Sequence, residues 1–417
     1  TDPLVNITNV NQIVVYTITP TSANGCEGNS FIVSITVRPE PRGFNDARTI
    51  CSDANANYDL TSNIGNTGSG GNNLLIGTTY SWIATDNVNV SGETTVTPGT
   101  TSLINDVLNN VTNVDQTVVY TVTATSNNGC QGDPFTVSIT VRPEPRGFND
   151  NSPIICSDDA VNYDLEANIA NTVSGGNNLI TGTTYSWLAT SNPNVSGEST
   201  IAQTGSTITD ILNNVTNSNQ IVTYAVTPTS QLGCIGNVFT VAVTVRPEPR
   251  GFNDTNPLIC SNATVNYSLS SNIANTGSGG NNLVAGTTYS WVATDNPSVS
   301  GETLAASTAT IINDLLVNVT GTNQVVVYTV TPTSALGCLG DNFTVSVTVR
   351  PQPIGAADVD AVCSDEAISY NIQTRNINIL GNSVSSQFTY TVVSSDPGNV
   401  SAAGRDRAVA SNAPITD

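Results

Sequence analysis

The chain has 417 residues, a net charge of −21, and neither His, Met nor Lys, so its eleven basic residues are all Arg. That much negative charge excludes electrostatic binding of nucleic acid. The missing His and Lys remove the side chains that most often serve as general base or activated amine. Only 10% of residues are charged while 38% are apolar, so the solvated faces must be built from Thr, Ser, Asn and Gly.

The chain is periodic. RPEPRGFND stands at 38–46, 142–150 and 246–254, and a degraded copy, RPQPIGAAD, at 350–358. The segments between align throughout: Tyr-Ser-Trp recurs at Tyr80–Trp82, Tyr185–Trp187 and Tyr289–Trp291, and Gly-Cys recurs at Cys26, Cys130, Cys234 and Cys338. A period of 104 residues, the step from Arg38 to Arg142, means tandem domains of ordinary size rather than a solenoid. The expected division is 1–41 as the C-terminal part of a repeat, 42–145, 146–249 and 250–353 as three whole repeats, and 354–417 as the N-terminal part of a fourth. Asp2 and Asp417 align with Asp106 and Asp314, so the ends fall mid-repeat and the chain reads as a window on a longer repetitive protein.

In chain order, repeat 42–145 opens with a short strand at Asn57–Leu60. A second strand, TTYSWIAT, places Tyr80 and Trp82 on one face. Thr101–Val107 gives another strand, and NDVLNN could instead form one helical turn. Val118, Tyr120 and Val122 then alternate with polar or outward residues, as do Phe135, Val137, Ile139 and Val141 with Thr136, Ser138, Thr140 and Arg142. Period-2 alternation marks strands with one buried face. SNNGCQGDP between the last two is a hairpin loop rich in Gly and Asn. Many short strands with Thr-rich outer faces predict an all-β antiparallel sandwich. Pro-Glu-Pro then ends the sheet and stiffens the junction, and Arg-Gly-Phe supplies a turn and an apolar plug. Stiffly linked sandwiches form an extended rod, each adding roughly 35–45 Å.

The eight Cys lie at 26, 51, 130, 156, 234, 260, 338 and 363. Two pairings suit their alternating gaps, and strand geometry favours the long one. The last strand carries the chain some 30–35 Å away from its hairpin, whereas the first strand of an immunoglobulin-like sandwich starts beside that hairpin. The expectation is one bridge per repeat: Cys51–Cys130, Cys156–Cys234 and Cys260–Cys338, with Cys26 and Cys363 left over. Regular disulfides imply an oxidising, extracytoplasmic setting. Without His or CxxC spacing, a zinc site is not expected.

The pattern CSD, Tyr-Ser-Trp, Ile-Asn-Asp-x-Leu, Gln-x-Val-x-Tyr-x-Val-Thr, Gly-Cys and Phe-Thr-Val-x-x-Thr-Val-Arg-Pro resembles the PKD-like, immunoglobulin-like repeats of giant Bacteroidota surface proteins, most of all the gliding-motility adhesins exported by the type IX secretion system. The resemblance spans the whole chain. It implies a cell-surface filament, associated with the outer membrane, that a motor moves and that grips the substratum. Its partners would be the substratum or surface glycans, held by avidity through many copies, and a gliding and secretion machinery outside this chain. No nucleic acid and no membrane insertion are implied. The Cys positions depart from true immunoglobulin domains, and the fourth copy has Val392 where Trp291 stood.

No enzyme is expected, since only carboxylates and hydroxyls remain for catalysis. NTGSGGNN at 66–73 lacks the Lys-Ser/Thr and following helix of a phosphate loop. Absent Lys also excludes Lys–Asn isopeptide cross-links. No cofactor is expected, and calcium is the one metal question. Glu40, Asp46, Glu93 and Asp106 recur as Glu144, Asp150, Glu198 and Asp210, and as Glu248, Asp254, Glu302 and Asp314, and junction carboxylates could gather around Ca²⁺. Ion pairs with Arg38 and Arg42 suffice to explain Glu40 and Asp46. Asp53 becomes Asn262 and Asp86 becomes Ser191, as obligatory ligands would not. The alternative function is a non-catalytic spacer of a secreted or wall-anchored enzyme.

Overall fold

The computed structural model describes residues 3–66, 73–171, 178–275, 282–363, 366–393 and 407–416. NTGSGGNN lies outside the described residues except at its two ends, and Asp2 and Asp417 lie outside them.

The chain begins with a hairpin of β1 (Gln12–Ile18) and β2 (Phe31–Val37). The first whole repeat follows: β3 (Asp46–Cys51), β4 (Ala54–Asn55), β5 (Tyr58–Asp59), α1 (Leu60–Gly65), β6 (Thr79–Ala84), β7 (Val90–Ser91), β8 (Leu103–Ile104), β9 (Val107–Asn110), β10 (Gln116–Thr125) and β11 (Phe135–Arg142). One sheet has the order β3-β11-β10-β6. Its strands are antiparallel, except that β3 runs parallel to β11, from Asp46 opposite Val137 to Cys51 opposite Arg142. Facing it are the β4-β9-β7 sheet and the β5-β8 pair. The fold is thus the all-β sandwich that the alternation predicts. NDVLNN carries β9 rather than a helical turn. The single helical turn lies at α1 instead, where Asp59 caps the Thr61 N–H, the role for which Asp is favoured.

Residues 146–249 and 250–353 repeat this plan. Each has one residue more before its Cys, and a Pro within that stretch. The parallel strand is therefore shortened to Ile154–Cys156 and Leu258–Cys260, because Pro153 and Pro257 cannot donate to the ladder. An isolated parallel bridge at Asp150 and at Asp254 keeps the register before each Pro.

The alternating apolar residues meet between the sheets. Val118, Tyr120, Val122, Val137, Ile139 and Val141 are fully buried, and so are their counterparts in the next two repeats. The β1–β2 hairpin turns the same face to solvent: Phe31 is 52% exposed where Phe135 is 3% exposed. Each whole repeat stacks one Trp edge-on to one Tyr, Trp82 with Tyr120, Trp187 with Tyr224 and Trp291 with Tyr328, at 5.6–5.8 Å between ring centroids. The Tyr hydroxyl donates to a mostly buried carboxylate, Asp106, Asp210 or Asp314, at 2.8–2.9 Å. That carboxylate also takes the N–H and hydroxyl of Thr94, Ser199 or Thr303. Burial and then the neighbouring Asp106 push the Tyr120 phenol well above its ordinary range, so it remains the donor.

The fourth copy keeps part of the plan. Ser369–Tyr370 pairs with Ile415–Thr416 as β5 pairs with β8, and Phe388–Tyr390 pairs with Arg407–Ser411.

Replacing Tyr224 with Phe removes one of the donors to buried Asp210, which costs about 1–2 kcal/mol. Hydrogen exchange should accelerate roughly tenfold across residues 146–249 and stay unchanged in the flanking repeats, as expected when each repeat opens on its own.

Candidate functional site: the joint between repeats

The constellation that brings distant residues together is the joint between consecutive repeats. The disulfides lie there. Cys51 is bonded to Cys234 and Cys156 to Cys338, at sequence separations of 183 and 182. This corrects the one-bridge-per-repeat expectation. Cys130 and Cys260 carry free thiols, as do Cys26 and Cys363. The physical reason is the parallel strand. β3 does begin near the hairpin end of the repeat, but its Cys is its last residue, opposite Arg142. At about 3.3 Å per residue, β3 carries Cys51 some 16 Å toward the far end. Cys130, in the hairpin before β11, stays at the near end. Cys51 therefore faces the next repeat, whose own near end presents Cys234. Each bridge closes a loop so long that the chain-entropy model assigns it about 5 kcal/mol.

The Pro-rich phrase supplies the rest of the joint. Pro143, Glu144 and Pro145 are buried, as are Pro247, Glu248 and Pro249. The next hairpin packs on this linker with no room to spare: a Cβ on Gly236 would stand 1.8 Å from the Pro145 carbonyl oxygen. Only Gly permits that approach, and it seats the hairpin so that Cys234 reaches Cys51.

Arg146 belongs to the second repeat and reaches back to the first. Its guanidinium donates to Asn109 Oδ1 at 2.7 Å and Ser52 Oγ at 3.3 Å, and lies 3.7 Å from Asp53. Its Nε donates to Glu144 at 3.3 Å. Arg250 repeats these contacts on Asn213, Ser157, Asp158 and Glu248. The fixed fork of Arg suits such a set of acceptors, and the single ammonium of Lys would not. An amide closes the other side. Asn178 donates to the carbonyls of Thr112 and Glu144, and Asn282 to those of Thr216 and Glu248, all at 2.8–3.0 Å. Asn73 and Asn382 make the corresponding pair at the first and last joints. At the last joint Gln352 and Ile354 replace the Glu and Arg. The first Arg of the phrase spans the joint too: Arg38 donates to the Asn128 carbonyl and Arg246 to that of Leu336.

The carboxylates weighed for calcium divide. Asp46, Asp150 and Asp254 accept the hydroxyls of Tyr58, Tyr163 and Tyr267. Glu93, Glu198 and Glu302 accept backbone N–H groups of Asn87, Asn192 and Asn296. With Asp106, Asp210 and Asp314 in the core, only Glu40, Glu144 and Glu248 lie at joints, and Glu40 pairs with Arg42. Among the described residues, no group of three or more His, Cys, Asp or Glu is placed to hold a metal ion. Asp53, Asp158 and Asn262 share a left-handed backbone with φ of 60–63°. Asp and Asn both tolerate that conformation, which explains why they interchange there. Phe148 is only half-buried; the ring that packs against Gly147 is Phe239, from the start of the last strand, so the apolar plug is not the Phe of the phrase.

Glu144 is the most perturbed acid of the joint. Burial pushes its carboxyl up to about 7, and Asp53 adds to the rise against the pull of Arg146. Glu248 is likewise raised to about 7 by burial and by Asp158.

A family model described as "PKD-like domain" matches residues 1–41, 48–145, 153–249 and 257–353. No curated protein matches the chain. Among solved structures, an I-band fragment of titin is similar at 10% identity and a TM-score of 0.29, over 74% of this chain and 97% of that one. Drosophila N-cadherin EC1-4 is similar at 12% identity and a TM-score of 0.19, over 82% and 84%. The human desmocollin-1 ectodomain gives 11% and 0.20, over 96% and 79%.

Two outcomes follow for the joint. A raised carboxyl holds a proton in the closed joint that it gives up in the open one between about pH 4.5 and 7. Closing is thus favoured in acid, and that gain is lost as pH rises through about 7. In protein reduced to free the joints, exchange protection around Arg146 and Asn178 should fall from pH 5 to pH 8 after correction for the intrinsic rate. Glu144→Gln should flatten that dependence at this joint and leave it at Arg250. EDTA should leave the melting temperature unchanged; a drop of several degrees would reveal a calcium-stiffened joint.

Proposed function

The chain belongs to the PKD-like domain family, and from that premise we propose that it is a stalk segment of a bacterial cell-surface adhesin filament, of the kind used in gliding motility. The observation that carries this reading is the joint itself. The same Arg, Asn, Gly and Cys recur at one period and tie each whole repeat to the next. A chain built this way holds its ends apart, and presents the same Thr- and Asn-rich flanks many times. Copies of one weak surface engage a substratum or glycan layer by avidity rather than through one pocket.

The disulfides suit an oxidising compartment, which supports an extracellular position on the cell surface, associated with the outer membrane through parts of the protein other than these repeats. No helix of the described residues is long and apolar enough to cross a membrane. The role is non-catalytic: the strongly perturbed acids, Glu144 and Glu248, are engaged by Arg146 and Arg250 inside the joints.

Beads carrying an antibody to this repeat, placed on living cells of the source organism, test the proposal. Beads that travel along the cell at roughly micrometre-per-second speeds support a motor-driven gliding adhesin. Stationary bound beads would reduce the reading to a static stalk, and absence of binding would overturn the surface location.

A further inference from the structure

The two disulfides interlock. Along the chain their ends run Cys51, Cys156, Cys234, Cys338, so that each bridge has one end inside the loop closed by the other. Cys51 and Cys234 make one knot, at the joint between the first and second whole repeats. Cys156 and Cys338 make another, at the joint between the second and third. Three stretches of chain connect the two knots side by side. They are the 105 residue steps from Cys51 to Cys156, the 78 from Cys156 to Cys234 and the 104 from Cys234 to Cys338. Without the bridges, the same ends are joined by one path of 287 steps from Cys51 to Cys338.

We propose that these bridges are mechanical staples that make the array a load-bearing tether of limited extension, in which unfolding releases little length. The proposal rests on the stalk reading only for its use in the cell; the staples themselves are tested on the isolated chain.

The strand geometry supports a load path through the first and last strands of each sandwich, which pair in parallel. A thread leaves Cys130, runs through β11, the Pro-rich linker and the strand Ile154–Cys156, crosses to Cys338, and continues through Phe343–Arg350 toward Cys363. It covers 26 residue steps before the bridge and 25 after it. A second thread runs from Cys26 through β2 and β3 to Cys51, crosses to Cys234, and continues through Phe239–Arg246 and Leu258–Cys260. Much of each thread is already extended strand, so it has little slack to give. Strands β6 and β10 and their counterparts lie off both threads. At each stapled joint one thread crosses as backbone and the other as a disulfide, so no joint depends on a single covalent crossing.

The topology makes a non-additive prediction. With both staples, the shortest path from Cys51 to Cys338 is 78 steps. Without Cys156–Cys338 it is 104, and without Cys51–Cys234 it is 105. With neither it is 287. At about 3.5 Å per extended residue, loss of either staple alone releases only about 90 Å. Loss of both releases about 730 Å.

The experiment is single-molecule force extension of the full chain pulled from its two ends, oxidised, reduced, and as the double substitutions Cys51→Ser/Cys234→Ser and Cys156→Ser/Cys338→Ser. The expected result is a small gain in total contour for either variant and a gain of about 730 Å on reduction of the unsubstituted chain. Equal contours before and after reduction would overturn the proposal. So would equal, additive gains from the two pairs, as bridges within single repeats would give. Reduction of the unsubstituted chain keeps the test valid if a variant fails to fold. Failure here is distinct from failure of the stalk reading, because contour length is measured without the cell and bead transport without reductant.

Discussion

The structure depends most on one pairing, the parallel register of the first strand on the last. Asp46 lies opposite Val137 and Cys51 opposite Arg142. Because both strands run toward the following repeat, both chain segments arrive together at the joint. One goes on as the Pro-rich linker, and the other stops at Cys-Ser-Asp and turns back. An antiparallel first strand would have carried its Cys toward the preceding repeat, and the staple could not form. The Pro that interrupts this strand in the second and third repeats takes up an added residue without moving the Cys, which still faces the Arg at the end of the last strand.

The polar part of the joint follows from what the linker must do. A buried Glu is costly unless its charge is compensated. Here compensation comes from Arg146 or Arg250, two residues on along the same linker. The same guanidinium is shared with Ser52, Asp53 and Asn109, or with Ser157, Asp158 and Asn213. Glu orients the Arg, and the Arg reads the far end of the preceding sandwich. The Pro on either side fix the backbone that aims them, so the entropy of closing the joint is largely met in advance.

Period, strand alternation, hairpin and sandwich were legible because each depends on local sequence and on one buried face. Tyr120 and Trp82 could be assigned to a core from their spacing alone. The disulfide partners were not legible. Gap lengths constrain only which pairings are regular, and the deciding fact was whether Cys51 starts or ends its strand. RTIC, with the Cys after three residues of extended chain, was the available signal; it places the Cys at the strand's far end once the strand is taken to begin at Asp46. The carboxylates were equally ambiguous in sequence. Asp106 and Glu144 look alike as recurring acids, yet one completes a Tyr hydrogen bond in the core and the other holds an Arg two residues on, inside a joint. That difference lies in what the fold packs around each: Asp106, between β8 and β9, meets Tyr120 of β10, and Glu144, on the linker, is closed over by Asn178 of the next repeat.

The joint also explains why the chain repeats itself so closely. It is a heterologous contact: the far end of one sandwich, with Cys156, Ser157, Asp158 and Asn213, meets the near end of the next, with Cys338, Arg250, Gly340 and Asn282. Such contacts propagate from one copy to the next. A repeat with neighbours on both sides must therefore carry both halves, and a change in one half is tolerated only with a matching change in the other half one period away. RPEPRGFND is thus a coupling, and its identity from copy to copy follows from what each copy must fit. The degraded RPQPIGAAD is consistent with this: it gives up the Glu and the Arg together, and keeps the Asn382 contact, which needs only backbone carbonyls as partners.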